Sequence, residues 1–402
     1  MQKRFLIWEN PRDAVLTIVL CLMFIGCVNV FSASFVSASA MFGTGYYYLY
    51  RYFMFGLLGI FFLVLVGWKI DYHIWLKYRA PIFYLFLALL LCVDLFGTTT
   101  KGAQRWLVIA GFSFQPSEFV KLAVIIMGSG SLGSLLNRGK VPDLLHFPVN
   151  VAFIQSVVLA GMVLIQPDMG TAAIILALMI VLYVIAGLPL KELGTLAGIC
   201  AAGVVVMIAI APYRLSRILI WLDPWRDAQG SGYQSVQSFV SIGSGGWFGN
   251  HFGMGTGKFF FLPEAHTDFA FAIFCQEWGF FGALGLLFLF LVLAKAIYTI
   301  GKNTTDEKGF LLVTGVNFLV VGQAIANMAM VCGILPVIGV PLSFISYGGT
   351  SLIATLGAVG LVVSVYNDEV KKSKVQKTKV QNFSPKSARL GRSQFHPRGV
   401  RK

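Results

Sequence analysis

The chain has 402 residues, of which 57% are hydrophobic and 12% are charged, and its mean hydropathy is +0.78. A water-soluble protein cannot bury so much apolar surface, so the composition predicts an integral membrane protein. The net charge of +14 would suit a nucleic-acid-binding protein, but the basic residues cluster beside apolar segments, which is typical of membrane proteins. The six cysteines lie in apolar segments without C-x-x-C spacing, which predicts neither disulfides nor a zinc site.

Ten segments are apolar and long enough to cross the hydrocarbon core as helices, which takes about 20 residues each. In chain order they cover residues 14–33, 50–68, 80–98, 117–136, 148–166, 171–188, 193–212, 269–298, 310–332 and 349–366. Residues 11–13 precede the first segment and no small-residue cleavage site follows, so we expect a retained span rather than a signal peptide. The predicted fold class is an all-α polytopic membrane protein with ten transmembrane helices in one domain, residues 1–368.

The basic residues predict the orientation of these spans. All but eight of the 31 Lys and Arg residues lie at the amino terminus, in alternate loops or after the last span. Since Lys and Arg favour the cytoplasmic side, both termini are predicted to be inside. The basic tail, residues 369–402, lacks an apolar pattern and is predicted to be disordered. It acts either as a topology determinant that holds to anionic lipid or as a docking segment for a cytoplasmic partner.

One long extracytoplasmic loop, residues 213–267, separates the seventh and eighth spans. It contains Trp221, Trp225, Tyr233, Trp247 and the glycine-rich stretch GSGGWFGNHFGMGTGK, a mixture that predicts an ordered loop lying on the membrane. These glycines lack the strand and helix of a phosphate-binding loop, and they lie on the side where ATP is absent.

Polar residues on the predicted outer side each allow two interpretations. Glu118 and Lys121 share one helix face at i, i+3 spacing, and Arg105 precedes them. The three form either a surface ion pair beside an interfacial Trp106 or a cationic pocket for an anionic headgroup. Asp168, in a very short turn, either caps the following helix or lines a cavity.

Three arginines follow the seventh span on the outer side, against the general charge bias. They are Arg214, Arg217 and Arg226. An anionic ligand such as a lipid pyrophosphate would explain them.

The stretch FLPEAHTDFAFAIF places Glu264, His266 and Asp268 at the lip of the eighth span. Asp268 is either the N-cap of that helix or, with its two neighbours, a group for acid–base chemistry. Glu277 lies more than two turns inside the span, where a carboxylate is a functional candidate. The prolines of LPVIGVPLSFISYGGTS predict a broken or re-entrant segment before the last span.

Six segments, in this order, resemble the SEDS proteins of shape, elongation, division and sporulation, which include FtsW, RodA and SpoVE. They are KGAQRWL, FQPSEFVKL, IQPDMGTA, RILIWLDPWRD with GSGYQSVQSFVSIGSGGWFG, LPEAHTDFAFAIFCQEWGFFGALG and LPVIGVPLSFISYGGTSL. They span most of residues 101–355, and DPW, GYQ and LPEAHTDF resemble the FtsW and SpoVE branch more than RodA. Asn250 with His251, and Cys275 and Trp278, depart from the family's pattern.

The resemblance implies a peptidoglycan glycosyltransferase of the bacterial cytoplasmic membrane, with its active site facing outside. It would polymerise lipid II for the cell wall in division, elongation or sporulation. The implied partners are a class B penicillin-binding transpeptidase and other divisome or elongasome proteins, with no nucleotide and no nucleic acid. The family's essential acidic residue corresponds to Asp268, and the basic residues of its GAxRW and PSExxK motifs correspond to Arg105 and Lys121.

This assignment implies a mechanism. Asp268 would act as general base on the acceptor's 4-hydroxyl, and cationic residues would stabilise the leaving pyrophosphate. An α-linked donor and a β-linked product imply inversion without a covalent enzyme intermediate. The cations would be Arg105, Lys121 and either Arg214 or Arg217; the other candidates for substrate binding are Glu118, Lys258, Glu264, His266 and Glu277. The sequence shows no cofactor and no metal cage, and it leaves open a divalent cation at the pyrophosphate.

Two alternatives differ in kind from an enzyme. Glu277 and Gln323 inside the predicted bundle would also suit a lipid II flippase. The second alternative is a non-catalytic scaffold that recruits the class B penicillin-binding protein. A transporter needs polar groups near the midplane that open to both faces, whereas the charged candidate residues of this chain concentrate on the outer face, which favours extracytoplasmic chemistry.

Overall fold

The computed structural model describes residues 7–100, 103–109, 111–140, 149–196, 198, 213–259 and 261–383. Helices dominate these residues. They are α1 (Pro11–Phe42), α2 (Tyr47–Val64), α3 (Tyr72–Lys77), α4 (Arg79–Phe96), α5 (Pro116–Leu136), α6 (Val149–Ile165), α7 (Met169–Ile185), α8 (Tyr213–Leu222), α9 (Tyr233–Gly245), α10 (Ala270–Lys302), α11 (Glu307–Asn317), α12 (Gln323–Val331) and α13 (Gly349–Phe383). Turns of π-helix, Leu65–Lys69 and Phe318–Gly322, follow α2 and α11, and a 3₁₀ turn, Pro224–Asp227, follows α8.

Within the described residues, seven helical stretches are long and apolar enough to cross a membrane. They are Pro11–Phe42, Tyr47–Lys69, Arg79–Phe96, Pro116–Leu136, Ala270–Lys302, Glu307–Val331 and Gly349–Gln376. The shorter apolar helices α6 and α7 lie at the predicted fifth and sixth spans. The predicted seventh span, 193–212, falls largely outside the described residues. The multi-pass membrane class is therefore confirmed.

Helices α5 and α13 lie at the centre of the bundle. Helix α13 packs on α2, α5 packs on α4, α7 and α11, and α1 packs on α10. Small residues permit close approach: a Cβ on Gly128 of α5 would lie 2.7 Å from Leu182 Cδ1 of α7. Close contacts at small residues stabilise helix association in a membrane, where the hydrophobic effect does not drive helices together.

A small antiparallel sheet corrects the all-α prediction. The strands β1 (Thr98–Thr100), β2 (Ala103–Ile109) and β3 (Phe112–Phe114) pair in the order β1-β2-β3, with Thr98 opposite Trp106 and Leu107 opposite Phe114. Threonine, the other β-branched residues and aromatic residues favour strands. The chain between α4 and α5 holds such residues and is long enough for its strands to fold back on each other. The sheet carries Arg105 over the end of the bundle.

Helix α10 is interrupted, which corrects the prediction of one continuous span over 269–298. Gly279 has φ 67° and ψ −168°, and a Cβ there would lie 2.3 Å from the backbone nitrogen of Gly249. The amides that the break releases bond to the outer loop: Phe280 N donates to Gly246 O at 2.9 Å, and Phe281 N donates to Trp247 O at 3.2 Å. The glycine-rich loop thus replaces missing helical hydrogen bonds.

The predicted last span ends at residue 366, but helix α13 continues through Phe383. Residues 369–383 are therefore helical rather than disordered. Lys372 pairs with Asp368 at 2.7 Å and with Glu369 at 3.4 Å. These i, i+4 and i, i+3 pairs support the added turns. The rest of the predicted tail, 384–402, lies outside the described residues.

At one end of the bundle, segments that were predicted to be inside meet around Asp306. Its carboxylate accepts from Asn137 Nδ2 at 2.8 Å and from Tyr72 Oη at 3.0 Å, and His73 Nε2 lies 3.5 Å away. Burial alone would raise the pKa of Asp306, but the hydrogen bonds from Asn137 and Tyr72 lower it overall. Segments predicted to be outside meet at the other end, around a cavity.

Candidate functional site

A cavity of about 770 Å³ opens between the segments that were predicted to lie outside. Its wall comes from the start of α2, the sheet, the start of α5, the turn before α7, the stretch 263–268 and the segment that leads into α13. Of the predicted site residues, five line it: Arg105, Glu118, Glu264, His266 and Asp268.

Asp268 lies half-buried in the cavity wall, two residues before α10. The helix begins at Ala270 with Phe269 at the N-cap position, so the structure does not place Asp268 at the cap. A Cβ on Gly339 would lie 3.5 Å from Asp268 Oδ2, so the carboxylate faces the backbone of the segment before α13. The main-chain carbonyl of Asp268 accepts from Asn327 Nδ2 at 2.8 Å.

His266 and Glu264 are held in the same stretch. The His266 ring lies 4.4 Å from the Tyr48 ring and 6.0 Å from the Tyr347 ring, and His266 O accepts from Tyr347 N at 2.8 Å. Glu264 has φ 57°, in the left-handed region, and its Oε2 accepts from Thr267 Oγ1 at 2.7 Å. Strained backbone of this kind is concentrated at functional sites.

Tyr347 adds a phenol to the cavity wall. Burial raises its pKa to about 12, and nearby Arg51 only partly offsets that effect. The phenol is therefore protonated at neutral pH, so it can donate a hydrogen bond to a ligand in the cavity.

Arg105 fastens the sheet to the turn between α6 and α7. Its Nε donates to Gln166 O at 3.1 Å, Nη2 donates to Pro167 O, and Nη1 lies 3.9 Å from Asp168 Oδ1. The side chain is 31% exposed, so part of the guanidinium still faces the cavity. Asp168 accepts from Thr171 N at 3.2 Å as the N-cap of α7, and it also lines the cavity. Both interpretations of Asp168 are therefore confirmed.

Lys121 lies behind the wall rather than in it. The side chain is 2% exposed, and Nζ donates to Glu118 Oε2 at 2.9 Å and to Gln323 Oε1 at 2.8 Å. The ion pair of Glu118 and Lys121 is confirmed, but it is buried rather than on the surface. Arg51, which the sequence analysis left unassigned, does line the cavity and donates to Tyr47 Oη at 2.8 Å.

Carboxylates outnumber arginines in the described wall, which does not match the cationic pocket that was one of the two interpretations of this region. Two arginines, Arg51 and Arg105, face four carboxylates: Glu118, Asp168, Glu264 and Asp268. Among the described residues, the tight group of potential metal ligands is Asp71, His73 and Asp368 at the opposite end of the bundle. That group does not belong to the cavity wall.

Lys258 and Glu277 pair with each other away from the cavity. Lys258 Nζ donates to Glu277 Oε1 at 2.9 Å and to Ser32 Oγ at 3.0 Å, and both charged side chains are buried. The structure therefore does not bring these two predicted substrate-binding residues to the wall. Arg214 and Arg217 belong to α8, and their side chains fall outside the described part of the chain.

The family FTSW_RODA_SPOVE, described as "Cell cycle protein", matches residues 12–371. The probable peptidoglycan glycosyltransferase FtsW of Geobacter sp. (strain M18) is 38% identical over 359 residues, which cover 89% of this chain and 97% of that protein. Stage V sporulation protein E of Bacillus subtilis (strain 168) is 34% identical over 367 residues, which cover 89% and 97%.

Solved structures agree with this relationship. A structure entitled "Structural coordination of polymerization and crosslinking by a peptidoglycan synthase complex" contains a chain with a TM-score of 0.70 and 27% identity, covering 88% of this chain and 97% of that one. The rod shape determining protein RodA of Thermus thermophilus matches with a TM-score of 0.63 and 26% identity, covering 88% and 96%. The match over 12–371, the ordered motifs and the shared fold establish that this chain belongs to the FtsW/RodA/SpoVE family of multi-pass membrane proteins.

Proposed function

We propose that this chain is a peptidoglycan glycosyltransferase that polymerises lipid II, the activity for which its FtsW relatives are named. The observation that carries the proposal is the placement of Asp268. Its carboxylate lines a cavity of about 770 Å³ together with Arg105, His266 and Tyr347. A cleft with a carboxylate, arginines and aromatic rings offers the groups that a lipid-linked sugar pyrophosphate requires.

In the proposed reaction, Asp268 accepts the proton of the acceptor's 4-hydroxyl as that oxygen attacks the anomeric carbon of the donor. General base catalysis of this kind contributes about 10²- to 10⁴-fold. The pyrophosphate leaves from the opposite face of the sugar, which inverts the configuration in one displacement. Arg105 and Arg51 supply positive charge in the wall for the leaving group.

Asp268→Asn tests this assignment because the amide keeps the shape of the carboxylate and removes its basicity. We expect polymerisation of purified lipid II to fall by about 10²-fold or more, with unchanged membrane insertion and thermal unfolding. Asp227→Asn is the matched control, since Asp227 lies in the same outer loop but is exposed and outside the cavity wall. Equal rates for the two variants would contradict the role of Asp268 and favour a non-catalytic scaffold.

We further propose that the cavity faces the outside of the bacterial cytoplasmic membrane. The support is the charge distribution, because the cavity collects the segments that carry few Lys and Arg. Single cysteines in place of Phe112, near the cavity, and Glu307, at the opposite end, allow a test with an impermeant thiol reagent. Labelling of the Glu307 variant in intact cells, without labelling of the Phe112 variant, would reverse the orientation.

A class B penicillin-binding transpeptidase remains the proposed partner. The support is the similarity to a chain of a synthase complex whose title joins polymerization and crosslinking. Co-purification of this chain with a candidate transpeptidase, and stimulation of polymerisation by it, would test the proposal. The phenotype of cells depleted of this protein would show whether it serves division, elongation or sporulation.

The two residues that suited a lipid II flippase, Glu277 and Gln323, are both engaged in contacts within the protein. Glu277 is paired with buried Lys258, and Gln323 accepts from buried Lys121 and donates to Pro341 O at 3.1 Å. Both polar groups are thus engaged in holding segments together. Translocation of a labelled headgroup in liposomes by Asp268→Asn protein, at the wild-type rate, would revive the flippase alternative.

The sequence leaves a divalent cation at the pyrophosphate open, and we propose that one takes part. The wall has more carboxylates than arginines, so a bound pyrophosphate would add to an acidic site. That balance supports a cation that arrives with the substrate rather than one held by the protein. Polymerisation should then stop on chelation and return with added magnesium or manganese.

A further inference from the structure

Asn327 of α12 joins the two backbone segments that meet at Asp268. It is fully buried, and its Nδ2 donates to Asp268 O at 2.8 Å and to Val340 O at 2.6 Å. A side-chain amide has two N–H donors, so both are used in these contacts. One carbonyl belongs to the stretch that carries the proposed base, and the other belongs to the segment that leads into α13.

The second of these segments lies against the carboxylate itself. Gly339, which precedes Val340, is so close that a Cβ there would lie 3.5 Å from Asp268 Oδ2. Asn327 therefore fixes the backbone on both sides of the space that the carboxylate occupies. A change at Asn327 would alter the distance between Asp268 and the opposite wall.

The neighbouring turn of α12 repeats this arrangement. Gln323, four residues earlier and on the same helix face, donates to Pro341 O at 3.1 Å and accepts from Lys121. Two successive amides of one helix thus hold consecutive carbonyls, Val340 and Pro341. The π-helical turn Phe318–Gly322 immediately precedes them, and such turns are frequent at functional sites.

The two donated bonds of Asn327 satisfy two buried main-chain carbonyls. An apolar residue at this position would leave both carbonyls without that donor, which is unfavourable for buried polar groups. The Oδ1 atom of Asn327 is buried and has no hydrogen-bond partner among the described residues, so the side chain acts through its two donors.

We propose that Asn327 is a positioning residue that sets the place of the Asp268 carboxylate through the main chain. The inference rests on the proposed function, in which Asp268 is the general base. A base must lie within hydrogen-bond reach of the proton it takes, and a displacement of about 1 Å can lower the rate about 10²-fold. Asn327 acts on turnover in this scheme and leaves substrate binding to the rest of the wall.

Asn327→Leu removes both donors and keeps the branched shape of the side chain, and Asn317→Leu is the control for the larger volume of leucine. Asn317 also donates its Nδ2 to a helical carbonyl, Ala294 O at 3.1 Å, and also has a buried Oδ1 without a partner, but it contacts neither Asp268 nor the cavity. We expect Asn327→Leu to lower kcat for lipid II polymerisation by about 10- to 100-fold with KM within about twofold. Hydrogen exchange of the amides in residues 264–272 should accelerate in this variant and not in the control.

Two measurements keep the outcomes distinct. Unchanged exchange in residues 264–272 of Asn327→Leu, or faster exchange with an unchanged kcat, would overturn the positioning role. Equal losses of kcat and thermal stability in both leucine variants would also overturn it, because a general packing defect would explain them. A wild-type protein without polymerase activity would refute the proposed function instead, and the exchange comparison would still decide whether Asn327 holds the Asp268 stretch.

Discussion

Replacing Lys258 by methionine should destabilise the fold strongly, because it would leave Glu277 as an isolated buried charge. Lys258 is 6% exposed and Glu277 is 3% exposed, and their charged atoms lie 2.9 Å apart. Methionine keeps much of the apolar stem of lysine and removes the ammonium group. The hydroxyl of Ser32 also donates to Glu277 Oε1, but a single neutral donor cannot balance the carboxylate.

The magnitude follows from the burial of both partners. Removal of one member of a buried ion pair costs about 3–5 kcal/mol, because the remaining charge stays away from water. The double variant Lys258→Met with Glu277→Gln removes both charges, and replacement of a whole buried pair is often close to neutral. We therefore expect the double variant to lie within about 1 kcal/mol of the wild type, which makes it more stable than the single variant.

Reversible unfolding of the detergent-solubilised protein in a denaturing surfactant would give these free energies for the wild type and three variants, as a double-mutant cycle. A single variant as stable as the wild type would show that the pair is not buried as described. A double variant as unstable as Lys258→Met would show that packing, not charge balance, governs the effect. A raised KM for lipid II at unchanged stability would instead restore the prediction that these residues bind substrate.

Three further predictions concern the first turn of α7, the end of the bundle opposite the cavity, and the cavity wall. Gly170→Ala would place a Cβ 1.7 Å from Ile338 O, so the yield of monodisperse protein in size-exclusion chromatography should fall sharply. The pKa of Asp306 is lowered in the folded protein, so its ionised carboxylate stabilises the fold above the ordinary value of 3.8, and this contribution is lost as the pH falls through the folded-state pKa. Between about pH 6 and about pH 3, the thermal unfolding temperature of Asp306→Asn should therefore fall less than that of the wild type. Arg105→Glu should raise KM for lipid II by about tenfold or more in steady-state polymerisation, since it replaces an anion-binding group with a carboxylate, and an unchanged KM would count against a pyrophosphate contact.

The sequence predicted the seven long apolar helices of the described residues, because the bilayer imposes length and apolarity directly, and the count of ten spans stays a prediction. It missed the break at Gly279 and the sheet that carries Arg105, since both depend on contacts with distant segments. The released amides of Phe280 and Phe281 bond to the outer loop, about 30 residues earlier in the chain. No local pattern in an apolar run reveals such a partner.

The site was predictable where a motif placed several polar groups together. Asp268, His266 and Glu264 come from one stretch, and all three line the cavity. Lys258 and Glu277, which were predicted to bind substrate, form a buried ion pair that does not line the cavity. In a sequence, a charge inside an apolar region looks the same whether it meets a substrate or a buried counter-ion. Single polar residues such as Arg51 and Asn327 gave no signal, since their importance comes only from what the fold brings beside them.

The cavity carboxylates differ in what their oxygens contact. Asp168 caps α7 and accepts from Gln115, Glu118 pairs with Lys121, and Glu264 accepts from Thr267. Each of these three carboxylates therefore holds an element of the wall in place. The main chain of Asp268 is held as well, because its carbonyl accepts from Asn327. If Asp268 is the general base that we propose, this bond would keep its backbone in place while the carboxylate takes up and releases a proton.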